Sequence, residues 1–193
     1  MAKFTKQAIY DSFMKFLNER PLGQITVKDI VDDCGINRKT FYYYFQDIYA
    51  LTDELFHAHI EAVRTKYPAE SHSWEEVLQR ITDYMYENRK VALHIYRTLG
   101  YEKIDGIFFE VGMEYIPNLI GTYVKELEVR QEDINLIASY AAISVSGMLT
   151  RWLSDGMKTI PNDTVRRFAL IMKGTARTAL ENAAELNQSE RKT

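Results

Sequence analysis

The chain of 193 residues has a single cysteine, Cys34. That excludes an intramolecular disulfide framework and a multi-cysteine zinc site, and the thiol is expected as a small buried side chain in a reducing, cytoplasmic setting. Proline is also scarce, at positions 21, 68, 117 and 161 only, so long helices are permitted between these breaks. No useful length of apolar–polar alternation occurs, which removes β-sheet and leaves an all-α fold class. No apolar run approaches the ~20 residues of a membrane span and no leader-like segment opens the chain, so no membrane association is expected. Also missing are a nucleophile elbow, a phosphate loop, a zinc-protease helix and a dinucleotide fingerprint, so neither an enzymatic activity nor a cofactor is expected. His57 and His59 stand two apart and point to different helix faces. His57 and Glu61 have ligand spacing, but two such groups on an exposed helix are more often surface, and no metal is expected.

Positive charge is short overall, with a formal net charge of -3 and a pI near 5.9. Any nucleic-acid role must rest on a local patch. Residues 1–46 carry seven Lys or Arg against five acids, a net +2 in an acidic protein.

What is present is helical periodicity. Ile9, Phe13, Phe16 and Leu17 mark one face of a first helix, which Pro21 and Gly23 end. Thr26 with Asp29 is an acidic capping box, flanked by an Ile25–Ile30 staple, and Gly35 stops this second helix. Asn37 then caps a third, in which Phe41 and Phe45 share an inner face while Lys39, Thr40 and Tyr43 lie opposite and Tyr42 and Tyr44 flank. Two capped helices joined by a glycine turn form a helix-turn-helix. Arg38, Lys39 and Thr40 suit base edges, Tyr43 shares their face, and Tyr42 and Tyr44 suit phosphates on either side. Taken alone, the stretch reads equally well as an amphipathic helix with an aromatic surface.

Further helices are expected over about 47–67, 74–89, 91–99 and from 105 onward, with a kink or break at Pro117. Two long helices follow, over about 132–154 and 162–186, and a polar tail starts near Asn187. A loop and cap are expected at Ser71-His72-Ser73. Ala138, Ala142, Val145 and Leu149 form a stripe on the first long helix, matched by Phe168, Met172, Thr175 and Ala179 on the last. Helices apolar on more than one face must bury the second in the core or against another copy, and a homodimer interface on these residues is the expectation. The division is a head over residues 1–46 and a regulatory and dimerisation domain over 47–193.

The head resembles the tetracycline-repressor (TetR) family of transcription regulators. The resemblance rests on Ile25-Thr26-Val27, Ile30-Val31, Gly35, Asn37 and the run Thr40-Phe41-Tyr42-Tyr43-Tyr44-Phe45, followed by Asp47 and Leu51, and covers roughly residues 5–55. It implies that Thr26 meets a phosphate at the start of the second helix, that Arg38, Lys39 and Thr40 approach bases, and that Tyr42 and Tyr44 hold phosphates. Ile48 stands where the family usually has a lysine, which removes up to about one phosphate contact. The segment from Trp152 to Met157 followed by Pro161 is similar to the C-terminal domain of a TetR subgroup that includes an activator of dihydroxyacetone kinase expression.

The family likeness further implies a helical C-terminal domain that dimerises through its last two helices and encloses a small-molecule pocket. Phe56, His59, Ile60, Tyr84, His94, Tyr96, Phe108, Phe109, Met113 and Tyr140 are its expected walls, although the same residues would serve as plain packing. The partners expected are a double-stranded DNA operator, a second copy of the chain and a small-molecule effector. A homodimeric repressor released by an inducer is the expected function, and a coactivator of the same shape acting by protein contact is the alternative.

Overall fold

The computed structural model describes residues 2–68, 73–124, 127–159 and 161–191, and all regular structure among them is helical. Three helices form the head: α1 (Ala2–Glu19), α2 (Val27–Cys34) and α3 (Arg38–Tyr44), with a 3-10 turn at Leu22–Gln24. The local chemistry explains the boundaries. Thr26 and Asp29 close a reciprocal capping box on α2, Gly35 ends it with φ +65°, and the Asn37 side chain accepts from the Thr40 N–H to start α3. Ile9, Phe13, Leu17, Ile30, Phe41 and Phe45 form the buried centre of the head.

The body follows as α4 (Ile48–Lys66), α5 (Trp74–Glu87), α6 (Arg89–Val124), α7 (Gln131–Ser154) and α8 (Pro161–Glu190). Asp47 caps α4, and Ser73 caps α5 in a second box with Glu76; Ser71 and His72 of the expected loop lie outside the described residues. α6 departs from helical geometry at Gly100 (φ +80°, ψ 169°) and continues through Pro117. The stop expected after residue 99 is thus present at Gly100, the residue that adopts this backbone without a Cβ penalty, while the helix is not broken at Pro117.

α6 and α7 make the most extensive packing in the molecule. A Cβ built on Gly112 would stand 3.2 Å from the Ala142 Cβ and 3.3 Å from its Cα, so the helices meet on a small-residue seam. Gly112→Ala should cost about 1–3 kcal/mol through overpacking, read as a lower midpoint in thermal or urea denaturation. This seam corrects the expected dimer stripe. Ala138, Ala142, Val145 and Leu149 are buried within the protomer, as is Met172, while Phe168, Thr175 and Ala179 are half-buried. The faces left outward are Leu136, Tyr140 and Ile143 on α7 and Leu170 and Ile171 on α8.

The polar tail is also corrected. α8 runs to Glu190, and Asn187, 3% exposed, donates from Nδ2 to Asp133 at 3.0 Å. Arg130–Glu190 and Arg191–Glu128 pairs, each 2.7 Å, fasten the same end against the start of α7. Cys34 is half-buried, with its thiol 3.3 Å from the Ala8 carbonyl. α7 is 24 residues long and, by length and composition alone, apolar enough to cross a membrane, contrary to the expectation that no run reaches that length; half of its most apolar window is buried in the protomer. That burial is what a core helix shows.

Candidate nucleic-acid interface

The head presents α3 outward. Phe41 and Phe45 anchor its inner face with ring centroids 5.7 Å apart, which turns Arg38, Lys39 and Tyr43 to the surface, Tyr43 being 81% exposed. Among the described residues, Arg38 and Lys39 have no ion pair or hydrogen bond, whereas Lys15 and Arg20 are drawn to Asp33 and Asp29. Among the described residues, Arg38 and Lys39 on the reading helix, with Lys28 on α2, are thus cations of the head without a compensating acid. Thr40 is half-buried, its hydroxyl donating to the Asn37 side chain at 3.1 Å. Tyr42 is exposed; Tyr44 is half-buried and packs edge-on to Tyr43 at 5.0 Å.

Thr26 is exposed at the start of α2, and its hydroxyl donates to Asp29 at 2.7 Å. That bond, the Thr26 N–H and the nearby Arg20 hold the Asp29 carboxyl below the usual aspartate range. The sign follows: this capping contribution is complete above the ordinary aspartate pKa and is lost only as pH falls through the lowered one. Ile48 is half-buried against the core rather than projecting outward.

Helix α4 ties this head to the body through neighbouring carboxylates. Glu54 pairs with Lys6 of α1 and accepts from the Tyr10 hydroxyl at 3.1 Å. The bond from Lys6 to Glu54 raises the lysine pKa, and burial together with the Glu54 charge raises that of Tyr10. Asp53 pairs with Lys103 of α6, and Arg64 reaches Glu114 of α6 at 2.6 Å. The first part of α6, before Gly100, also touches the head: the His94 Nδ1 lies 2.9 Å from the Leu17 carbonyl at the end of α1.

Between α4, α5 and α6 lies a cavity of about 450 Å³. The structure brings Phe56, His59, Ile60, Tyr84 and Phe108 together on its walls, half of the ten residues expected there. His59 and Tyr84 face each other with ring centroids 5.6 Å apart, and burial pushes the Tyr84 phenol up. The other five lie elsewhere. His94 is turned to the head, Met113 accepts a contact from the Ser139 hydroxyl at 3.9 Å, Tyr96 and Phe109 pack against the core, and Tyr140 is 55% exposed on the outer face of α7. Residue type and the family likeness named each as a wall without saying which neighbour it meets. Met14 of α1 also reaches the cavity, so its wall includes the head itself.

The sequence of the head, residues 9–55, matches the family described as bacterial regulatory proteins, tetR family, and residues 72–174 match its transcriptional regulator C-terminal region. The chain belongs to the TetR family of transcriptional regulators. Its helix-turn-helix is thus the DNA-binding module of a TetR protein, and its helical body contains the C-terminal region of such a regulator. A solved TetR-like relative, the dihydroxyacetone kinase operon activator DhaS, shares the fold with a TM-score of 0.73 at 18% identity, over 90% of this chain and 97% of that one. No curated protein matches the sequence. Beyond the expected TetR positions, two exposed groups border the reading helix: Lys28 on α2 and Tyr49, 62% exposed in the first turn of α4. Tyr49 was missed because an aromatic residue at the start of an apolar helix reads as packing.

Proposed function

We propose that the protein is a homodimeric, ligand-responsive regulator that binds a palindromic operator through Arg38, Lys39, Thr40, Tyr42, Tyr43 and Tyr44, with Thr26 at a phosphate, and represses until a small molecule enters the α4–α5–α6 cavity. The observation that carries this reading is the exposure of Arg38 and Lys39 on a braced helix without a compensating acid. Two heads on one two-fold axis read half-sites a helical turn of DNA, or a multiple of it, apart. The cavity wall reaches the head through Met14, and α4 carries both cavity residues and the Glu54 contact to Lys6. An inducer must favour the conformation that does not bind operator, by about 1.4 kcal/mol for each tenfold change in operator affinity. A gel shift on DNA flanking its own gene tests the reading: a salt-sensitive, sequence-selective shift is expected, and its absence from a folded dimer argues against direct repression.

The dimer is proposed on the outward faces of α7 and α8. Ile143 is 60% exposed and stands with Leu136 and Tyr140, beside Leu170 and Ile171 of α8. Ile143→Glu should halve the mass in sizing with light scattering while leaving the helical circular dichroism unchanged; an unchanged dimer mass places the interface elsewhere.

A second reading, a coactivator of the same shape acting through protein contact, is favoured by the half-buried Ile48, which leaves α4 without a side-chain cation at its start. DhaS is itself named as an operon activator. Capture of a partner protein without DNA, together with no gel shift, selects this reading. On the repressor reading, Ile48→Lys should strengthen operator binding and steepen its log–log salt dependence by about 0.9, since the lysine stem lies over the same apolar surface while the ammonium meets a phosphate.

A further inference from the structure

The cavity is polar at its rim and apolar at its depth, and this division bears on what it accepts. Ile95, Ile104, Phe108 and Leu153 are all buried on its walls, and none offers a hydrogen bond from its side chain. The charged lining residues Lys66, Arg80 and Glu87 are exposed and Asp83 is half-buried. These are two cations and two acids, none in an ion pair among the described residues, so the rim carries no net charge. Tyr84, 43% exposed, lines the same cavity, and its hydroxyl has no hydrogen-bond partner among the described residues. It faces the ring of His59, whose Nδ1 is occupied by the Leu55 carbonyl at 2.7 Å.

We infer that the cavity takes an uncharged amphiphile: an aliphatic or aromatic body inserted among Ile95, Ile104 and Phe108, with a single hydrogen-bonding end held by Tyr84 beside His59. A compact polyol is disfavoured at that depth, because most of its oxygens would leave water for Ile95, Ile104, Phe108 and Leu153, which offer no side-chain donor or acceptor. A fatty acid or a quaternary ammonium amphiphile gains nothing from a rim of balanced charge. A phenol is a donor at neutral pH, and burial pushes that of Tyr84 further up. The inference rests on the cavity being the effector site of the proposed regulator.

The test is displacement of N-phenyl-1-naphthylamine, an uncharged apolar fluorophore, from the full-length protein by 1-decanol, decanoate, decyltrimethylammonium and glycerol, each below its aggregation limit. Decanol is expected to displace the dye at least tenfold more tightly than either charged analogue, and glycerol is expected not to displace it. Tyr84→Phe should weaken decanol about tenfold and leave dye binding within twofold. Ile95→Asp should abolish both, with Ile95→Ala as the milder variant if the aspartate unfolds the chain. Displacement by glycerol, a charged analogue equal to decanol, an unaffected Tyr84→Phe, or no dye binding by the folded protein overturns the inference. Decanol binding with an unchanged gel shift leaves the ligand class standing and removes the inducer reading instead.

Discussion

Ala142→Glu is expected to abolish folding of the protomer rather than to release a folded monomer. Ala142 is 0% exposed, and its Cβ would be 3.2 Å from any Cβ placed on Gly112. A glutamate has no room at this seam, and Ala138, Ala141 and Val145 around it on α7 offer no side-chain cation or hydrogen-bond donor. An unpaired buried carboxylate costs several kcal/mol, and forcing a long side chain between close-packed helices adds to that. A domain stable by about 5–15 kcal/mol has little left after such a loss. Circular dichroism should show lost helix with no cooperative melt, and sizing should show aggregate. A cooperative monomer with native helicity would return Ala142 to a subunit interface. Set beside Ile143→Glu, one helical step away, the pair of results separates the two faces of α7.

Phe41→Ala is expected to destroy operator recognition without removing a single DNA-facing side chain. The ring is fully buried, 5.6 Å from Tyr42 and 5.7 Å from Phe45 between centroids. Phenylalanine-to-alanine changes in cores cost about 3–5 kcal/mol. α3 has seven residues, far below the roughly 12–15 at which an isolated helix holds itself in water, so its shape depends on this anchor. The gel shift should vanish while most of the helical signal, which comes from the body, persists. Retained sequence-selective binding would mean that the reading surface does not depend on the packing beneath it.

Ends of elements were legible because they are written in single residues. Thr26 with Asp29, Asn37 and Gly35 each specify a boundary through one side chain or one backbone conformation, and the structure uses each of them. Partners of faces were less legible. α7 is apolar on two sides, and periodicity gives no rule for choosing which side meets α6; the choice fell to Gly112, which lies outside α7 altogether. The same gap divided the cavity residues, since Tyr84 of α5 and His59 of α4 meet ring to ring across the cavity wall, while Tyr140 on an equally apolar helix looks outward. In α6 the stop at Gly100 was legible in the glycine itself, whereas no break occurs at Pro117, because a helix can forgo one N–H but cannot remain straight through φ +80°. Polarity misled at the C-terminus, where Asn187 is buried because Asp133 satisfies it.

Gly100 also divides α6 mechanically. Ahead of it, Val91 and Ile95 border the cavity while His94 holds the end of α1; behind it, Gly112 is wedged against Ala142. A push at Val91 or Ile95 therefore meets a compliant joint on one side and a stiff seam on the other. On the proposed reading, a ligand is therefore expected to displace the segment that His94 holds to α1 more than the α6–α7 seam.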